Sequence, residues 1–283
     1  MRRLFVVSLM ILFVVGFGFA EGQAEGVRVA QSGSMDLADG FYFAQQDSFS
    51  HGWKSVVAFE VNNGRIQNVE WDAANVKAGP GKDLLSQRGE YGMVANSGAT
   101  VSWHEQANRM EQWLERTQHP RQLSVHSERV TAAVSGVSIT VSEFKELALQ
   151  AAENGPVGRG QYEDGYYRAE NPSFSHGWKD VAKVTVMGGR IVAAHWTALA
   201  EGGGEDKYTA SENGNYGMVA NSGATVHWYE QADQAAQLLL ERQDPAAVPV
   251  NNDGTTDAVS GVSITVGGFF ELAEKALDQG PEN

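Results

Sequence analysis

Cysteine is absent from the 283-residue sequence. This absence excludes disulfide bonds, thiolate metal sites, iron–sulfur clusters, cysteine nucleophiles and a lipidated N-terminal cysteine. Attachment to a membrane would then require an uncleaved leader or a partner protein. Any covalent chemistry must use hydroxyl, imidazole, amine or carboxyl groups.

Positive charge and long apolar runs are also scarce. The formal net charge is −14, and such an acidic surface argues against nucleic-acid binding, which requires cations to neutralise phosphates. Beyond the N-terminus, no apolar run approaches the roughly 20 residues needed to cross a bilayer. With 42% hydrophobic and 20% charged residues, the composition is typical of a soluble globular protein.

The N-terminus has the pattern of a secretory signal. Met1-Arg2-Arg3 is basic, the stretch from Leu4 to Ala20 is apolar and uncharged, and polar residues follow. Cleavage after Ala20 or Ala24 fits the small residues found there, so we predict a signal peptide at 1–24. The alternative is an uncleaved anchor. Either outcome places the protein outside the cytoplasm, in the periplasm or at the cell surface.

The chain is a tandem duplication. One constant offset aligns 39–138 with 164–263 without a gap, and the run from Tyr91 to Val101 recurs intact from Tyr216 to Val226. A repeat of this length is a whole domain. A Gly/Pro-rich linker lies between the copies, and we expect domains at 38–152 and 163–279.

Each copy predicts strands followed by helices. In the first copy, apolar residues recur at alternate positions between Trp53 and Val61, as in a strand, and Asn62-Asn63-Gly64 is typical of a hairpin turn. Two later stretches have apolar residues at helical spacing, and both recur in the second copy. Ser102 and Glu105 have the spacing of a capping box at the start of the first of these predicted helices. The expected class is α+β, two tandem homologous domains, each an antiparallel sheet with packed helices. Asp206-Lys207 is expected to lie in a loop.

The segment 257–266 places hydroxyls beside a glycine just before the last helical stripe, and 132–141 is its earlier copy. Backbone N–H groups and the helix dipole at such a turn favour a phosphate. Capping is the plainer interpretation, since Thr140 with Glu143 has the spacing of a capping box.

Each copy resembles a known family. The resemblance rests on Asp-Gly-x-Tyr at the start of each copy, Gly-Trp-Lys before a strand, the Gly-Arg-Ile turn and the ending just described. These features are similar to the FMN-binding domains of extracytoplasmic subunits of sodium-pumping quinone reductases and Rnf-type complexes, and of secreted electron-transfer flavoproteins. In that family an Asp-x-x-Ser-Gly-Ala-Thr-x-Thr motif precedes the last helix, and a flavin transferase esterifies FMN onto the Thr after Ala.

The resemblance implies site residues in both copies. Ser263 stands at the acceptor position of the second copy and Ser138 at that of the first. The other implied cofactor-binding residues are Asp257, Ser260, Gly261 and Thr265, with Ser135, Gly136 and Thr140 in the first copy. This chain departs from the motif in having Val for Ala, Ser for the acceptor Thr, and Ala132 for Asp.

A rival site stands in the same chain. The tetrapeptide Ser-Gly-Ala-Thr ends at Thr100 and at Thr225, where it matches the family but precedes the middle helix and lacks the Asp. These residues are either N-terminal turns of that helix, flavin-linked hydroxyls, or the lining of the flavin pocket.

Other residue patterns are less specific. His51 and His176 lack a second ligand at suitable spacing, so we expect hydrogen-bonded structural histidines and no metal. Repeated tryptophans are expected mostly in the core, with one per domain able to stack on a flavin. No hydrolase motif occurs, so no catalytic residue is assigned.

Two functions follow from these patterns. The first is an electron carrier that holds FMN, covalently or non-covalently, and passes electrons from a membrane redox donor to an extracytoplasmic acceptor after a flavin transferase has loaded it. It would be a redox carrier more than a stand-alone enzyme. The second is a ligand-binding or surface module that keeps the fold without the flavin.

Overall fold

The computed structural model describes residues 35–127, 130–222 and 224–282. The expected signal peptide at 1–24 lies outside this range. None of the helices in these three ranges has both the length and the apolar character needed to cross a bilayer.

The first repeat contains a three-stranded sheet followed by helices. Its elements are β1 (Gly40–Gln45), β2 (Trp53–Asn62), β3 (Arg65–Asn75), α1 (Lys82–Gln87), α2 (Met93–Ser97), α3 (Trp103–Thr117), a 3-10 turn (Pro120–Gln122) and α4 (Ser142–Asn154). The second repeat has the same order. Its elements are β4 (Gly165–Glu170), β5 (Trp178–Met187), β6 (Arg190–Ala200), α5 (Lys207–Glu212), α6 (Met218–Ser222), α7 (Trp228–Arg242), a 3-10 turn (Pro245–Ala247) and α8 (Gly267–Gln279). The expected α+β fold with two tandem homologous halves is confirmed.

Both sheets are antiparallel meanders, in the orders β1-β2-β3 and β4-β5-β6. The hairpin between β2 and β3 pairs Asn62 with Arg65 around a two-residue turn. Asn63 and Gly64 adopt φ angles of 52° and 71°, which suit the tight turns of twisted hairpins. The predicted hairpin is therefore confirmed.

One face of each sheet packs on the two long helices of its own repeat. Alternate strand residues supply this face, because successive side chains in a strand point to opposite sides. In the first repeat, Phe59 and Trp71 from the sheet meet Met110, Leu114 and Phe144 from α3 and α4. Each repeat thus has its own hydrophobic core against its helices.

The two long helices of the first repeat, α3 and α4, are capped differently at their N-termini. At α3 the side chain of Ser102 and that of Glu105 form the predicted capping box. At α4 the N-cap residue is Val141, so the capping box expected from Thr140 and Glu143 is wrong. The carboxylate of Glu143 instead accepts a hydrogen bond of 2.7 Å from Ser55 Oγ on β2.

The other faces of the two sheets share a third apolar cluster. Phe41 and Phe43 of β1 pack there with Met187, Val192 and Ala193 of the second repeat. A buried polar contact crosses the same boundary: Thr185 Oγ1 accepts from the N–H of Gly79 and donates to its carbonyl, both at 2.9 Å. The two repeats accordingly belong to one compact unit.

The segment after β6 corrects one expectation. Asp206 and Lys207 do not lie in a loop: Asp206 is the N-cap of α5, its carboxylate accepts from the N–H of Thr209 at 3.0 Å, and Lys207 is the first helical residue. The short polar side chain after a Gly-rich stretch favours this cap.

Candidate functional site

A cavity of about 460 Å³ lies in the first repeat between the sheet and the two Ser/Gly-rich runs. Ser138 and Thr140 of the final run and Ser97 and Ala99 of the tetrapeptide run all line it. The sequence left open which of the two runs would form a pocket. The fold brings both of them to the same one.

A buried glutamine joins these two runs. Gln106, on the first turn of α3, is 1% exposed. Its Oε1 accepts from the N–H of Ser138 at 2.7 Å, from the N–H of Ile139 at 3.1 Å and from Ser138 Oγ at 3.3 Å. Its Nε2 donates to the carbonyl of Val101, directly after the tetrapeptide, at 2.9 Å.

The second repeat contains the same arrangement. Gln231 is fully buried, and its Oε1 accepts from the N–H of Ser263 at 2.7 Å and from Ser263 Oγ at 3.3 Å. Its Nε2 donates to the carbonyl of Val226 at 3.1 Å. Sequence reasoning missed both glutamines, although their recurrence at the repeat offset was a signal that could have revealed them.

The turn that contains Ser135 and Gly136 is exposed and carries a cation beside it. Arg109 Nη1 donates to the carbonyl of Gly136 at 2.9 Å and to that of Ser135 at 3.3 Å. Gly136 has a φ of 73°, and a Cβ at this position would lie 1.8 Å from Nη1. The turn therefore requires glycine both for its backbone angle and for the approach of the arginine.

In the second repeat the remaining predicted residues are on the surface. Ser260, Gly261, Ser263 and Thr265 are exposed, and Gly261 has a φ of 87°. Asp257 is exposed as well, and its Oδ2 accepts from Asn251 Nδ2 at 3.2 Å. These hydroxyl-bearing residues thus lie on the surface of the second repeat.

The rival hydroxyls lie outside the cavity lining. Thr100 and Thr225 are exposed, and the cavity of the first repeat is lined by the neighbouring Ala99 instead of Thr100. Both residues precede the middle helix of their repeat, as the sequence predicted.

An amine surrounded by aromatic rings forms one wall of the site. Lys82 Nζ lies 4.7 Å from the ring centre of Trp53, 5.2 Å from that of Tyr91 and 5.5 Å from that of Trp103. Burial lowers the pKa of Lys82 below its ordinary value. The electron-rich ring faces stabilise its charge.

The second repeat repeats this aromatic box. Lys207 Nζ lies 4.8 Å from the ring centres of Tyr216 and Trp228 and 6.0 Å from that of Trp178. Sequence reasoning treated most of these tryptophans as core residues, and Trp103 and Trp228 are indeed buried. It missed the two lysines because they lie on short helices, α1 and α5, that the sequence did not predict.

The floor of the site differs between the repeats. Trp71 lines the cavity, and among the residues that the structure describes its buried Nε1 has no hydrogen-bond partner. Its counterpart Trp196 donates through Nε1 to Asp180 Oδ1 at 3.3 Å. Asp180 stands where the first repeat has Ser55, and Gly268 stands where it has Glu143.

The histidines lie at the turn before β2 and β5. His51 and His176 both have a φ of 51°, and each Nδ1 lies within hydrogen-bond distance of the preceding serine hydroxyl, at 3.1 and 3.0 Å. His51 also lines the cavity. Over the ranges that the structure describes, no three histidine or carboxylate side chains form a group suited to a metal ion.

A second cavity, of about 440 Å³, lies between the repeats. Its lining includes Asp72, Glu111 and Thr185. Burial raises the pKa of Asp72 to about 7 and that of Glu111 to about 8. Both carboxyl groups accept backbone hydrogen bonds: Asp72 Oδ1 from the N–H of Asp83 and Glu111 Oε1 from the N–H of Trp71, each at 2.8 Å.

Comparison with known proteins gives two similar structures. No protein-family model matches the sequence, and no curated protein is significantly similar to it. A protein from Clostridium thermocellum, solved by solution NMR, is 46% identical over 41% of this chain and 91% of its own length, with a TM-score of 0.34. A crystal structure from Clostridium perfringens is 24% identical over 42% of this chain and 88% of its own, also with a TM-score of 0.34.

Proposed function

We propose that the protein binds FMN and carries electrons outside the cytoplasmic membrane, between a membrane redox donor and an extracytoplasmic acceptor. The observation that carries this proposal is the convergence of both Ser/Gly-rich runs on one aromatic-lined cavity in the first repeat. The resemblance of each repeat to FMN-binding domains supplies the identity of the ligand.

The residues present suit a flavin. The cavity volume of about 460 Å³ falls within the range of roughly 300 to 1,000 Å³ typical of small-molecule sites. Trp53, Tyr91 and Trp103 offer ring faces for a planar heteroaromatic ligand. Trp71 Nε1 offers a buried donor without a partner in the described part of the chain. A bound flavin would supply the redox chemistry, as cofactors generally do.

The chain itself would bind and orient the flavin. Gln106 and Gln231 hold the hydroxyl-bearing turns in one conformation. The cations of Lys82 and Lys207, next to the aromatic rings, favour negative charge on a ligand within the box. Their placement would therefore raise the reduction potential of a flavin held there, because reduction adds negative charge.

Covalent attachment is proposed at Ser263, and Ser138 is the hydroxyl at the equivalent position of the first repeat. A flavin transferase would transfer FMN from a flavin dinucleotide: the serine Oγ would bond to the phosphorus of the FMN half, the P–O–P bond would break, AMP would leave, and the hydroxyl proton would pass to solvent. Ser263, which has Asp257 in its motif, is the better match, whereas the first repeat has Ala132 at the corresponding position.

The experiment is co-expression of the full chain with an active flavin transferase, followed by intact-mass measurement and visible absorption spectroscopy. We expect one FMN mass increment for each modified repeat, with Ser263→Ala removing one and Ser138→Ala removing any second one. Loss of the increment in Thr100→Ala or Thr225→Ala would move the acceptor to the tetrapeptide. Absence of both flavin absorbance and any increment would overturn covalent attachment, and an absence of binding to added FMN as well would overturn the function.

The second candidate is a ligand-binding or surface module without flavin. Three departures from the family motif favour it: Val137 and Val262 in place of Ala, serine in place of the acceptor threonine, and Ala132 in place of Asp. In the same experiment such a module would show no FMN mass increment and would not bind added FMN.

A further inference from the structure

We infer that the first repeat binds its flavin reversibly and that the Trp71 N–H selects a ring with a carbonyl oxygen on its edge. In the second repeat the N–H of the equivalent tryptophan, Trp196, already donates a hydrogen bond to Asp180. This inference rests on the proposed flavin function and goes beyond it, because it assigns different tasks to the two repeats.

The first observation is an unsatisfied donor. The Trp71 side chain is 3% exposed and lines the cavity, and its indole N–H has no partner within residues 35–127, 130–222 and 224–282. Buried polar groups in folded proteins are nearly always hydrogen-bonded, because an unpaired one loses its hydration without compensation. A ligand that supplies an acceptor at this point would remove that cost.

The second observation shows the direction of this donor. In the second repeat the equivalent indole N–H meets Asp180 Oδ1, and the other carboxylate oxygen accepts from Asn171 Nδ2 at 3.3 Å. Asp180 corresponds to Ser55, which lines the cavity of the first repeat. This correspondence places the Trp71 N–H on the Ser55 side of the cavity.

The third observation is an acceptor beside this donor. Ser55 Oγ does not meet the Trp71 indole; it donates to Glu143 Oε2, and both residues line the cavity. The first repeat thus presents an unpaired donor, Trp71 Nε1, and an acceptor, the Glu143 carboxylate, to a ligand. A ring edge on which a carbonyl lies next to an N–H matches this pair, and the pyrimidine edge of a flavin is such an edge.

The second repeat has the opposite distribution of charge. Its carboxylate is on the strand, at Asp180, and Gly268 leaves the helix start without a side chain. Since Asp180 already accepts the Trp196 N–H, that donor is not available to a ligand carbonyl. The repeat with the better flavinylation motif therefore offers a ligand one hydrogen-bond donor fewer, and covalent attachment would take the place of selection by that donor.

The experiment uses the full chain produced without a flavin transferase, so that all binding is non-covalent. Riboflavin and FMN are titrated separately, and flavin fluorescence reports the dissociation constant. Trp71→Phe removes the indole N–H and should weaken binding of both flavins about 3- to 10-fold, as expected for one hydrogen bond. Trp113→Phe, a buried tryptophan of α3 outside the cavity lining, is the matched control and should bind as the wild type does.

An exchange of residues between the repeats tests the inference without changing a tryptophan. Ser55→Asp with Glu143→Gly gives the first repeat the internal acceptor of the second, and should reduce reversible binding by a similar or larger factor. Asp180→Ser with Gly268→Glu should create a second reversible site and raise the stoichiometry. Circular dichroism and thermal melting establish that each variant is folded.

Three outcomes would overturn the inference: wild-type protein that binds neither flavin, Trp71→Phe protein that binds like wild type, or an exchange in the first repeat that leaves binding intact. These results are distinct from failure of the proposed function. Covalent FMN on Ser263 in transferase-expressing cells would sustain that function even if the first repeat bound nothing reversibly.

Discussion

Gln106 Oε1 accepts a hydrogen bond of 2.7 Å from the N–H of Ser138, and through this contact the start of α3 fixes the turn that leads to α4. The same oxygen accepts a hydrogen bond from the N–H of Ile139, and Gln106 Nε2 donates one to the carbonyl of Val101. One buried side chain therefore determines how the two Ser/Gly-rich runs lie relative to each other.

Replacement of this glutamine should loosen the turn. In Gln106→Leu the N–H groups of Ser138 and Ile139 lose their acceptor, and we expect the free energy of unfolding to fall by about 1–3 kcal/mol. Urea denaturation measures the loss, and faster hydrogen exchange at Ser138 would locate it. Gln112→Leu on the exposed side of the same helix should change stability by less than about 0.5 kcal/mol, and an equal effect of the two variants would contradict the prediction.

The contact between the repeats should be sensitive to one hydroxyl. Thr185→Val keeps the side-chain shape but leaves both the N–H and the carbonyl of the buried Gly79 without the partner they share. We expect a loss of about 1–3 kcal/mol in urea denaturation. Thr117→Val is the control, because the Thr117 hydroxyl bonds only a carbonyl of its own helix. A stability unchanged by Thr185→Val would show that this bond does not hold the repeats together.

The carboxyl groups in the cavity between the repeats should make stability fall as the pH rises. Burial raises the pKa of Asp72 to about 7 and that of Glu111 to about 8, so the folded protein retains protons that the unfolded chain releases above its ordinary carboxyl pKa. Stability contributed by these protons is fully present below about pH 4 and is lost as the pH rises to about 8.

Glu111→Gln tests this pH dependence. The amide oxygen can still accept from the N–H of Trp71, but the side chain no longer titrates. Urea denaturation across this pH interval should give a flatter curve than wild type. Thr185→Val, which removes no carboxyl group, should lower the curve without changing its slope. A Glu111→Gln curve parallel to wild type would contradict the assignment.

The buried His195 should act in the opposite direction. Burial lowers its pKa to about 3, so the folded protein keeps the imidazole neutral while the unfolded chain takes up a proton below about pH 6.5. Its contribution to stability is present above about pH 6.5 and decreases as the pH falls. His195→Phe retains a ring against Tyr208, 4.7 Å away in the wild type, and should reduce acid destabilisation in thermal melts between about pH 6.5 and pH 4. If the melting temperature of His195→Phe fell with decreasing pH as steeply as that of the wild type, the prediction would be wrong.

Local features were predictable from the sequence because neighbouring residues produce them. The Asn63-Gly64 turn and the Ser102–Glu105 capping box depend on residues within one turn of chain, and both are present in the structure. The Thr140–Glu143 capping box has equally good spacing but does not form. The carboxylate of Glu143 bonds Ser55, a residue distant in sequence, and tertiary contact thus overrides the local pattern.

The candidate site was predictable only in part. The hydroxyl residues Ser138 and Thr140 were identified from the repeat and from the family resemblance, and they line the cavity. Gln106 and Lys82 were not identified as site residues, and Trp71 was only one of the repeated tryptophans of which one per domain was expected to stack on a flavin. Nothing in the local sequence around these three shows that α1, α3 and β3 meet beside the final turn.

The sequence by itself determined the duplication, the α+β class and the position of the hydroxyl-rich turns, because periodicity, turn residues and a repeated motif are properties of the chain alone. The tertiary structure decided that the two Ser/Gly-rich runs share one cavity and that the two sheets pack on each other through the faces turned away from their helices. It also decided that, among the described residues, the Trp71 N–H has no hydrogen-bond partner while the Trp196 N–H donates to Asp180. These relationships join residues far apart in sequence, and only the packing of helices on the sheets brings such residues into contact.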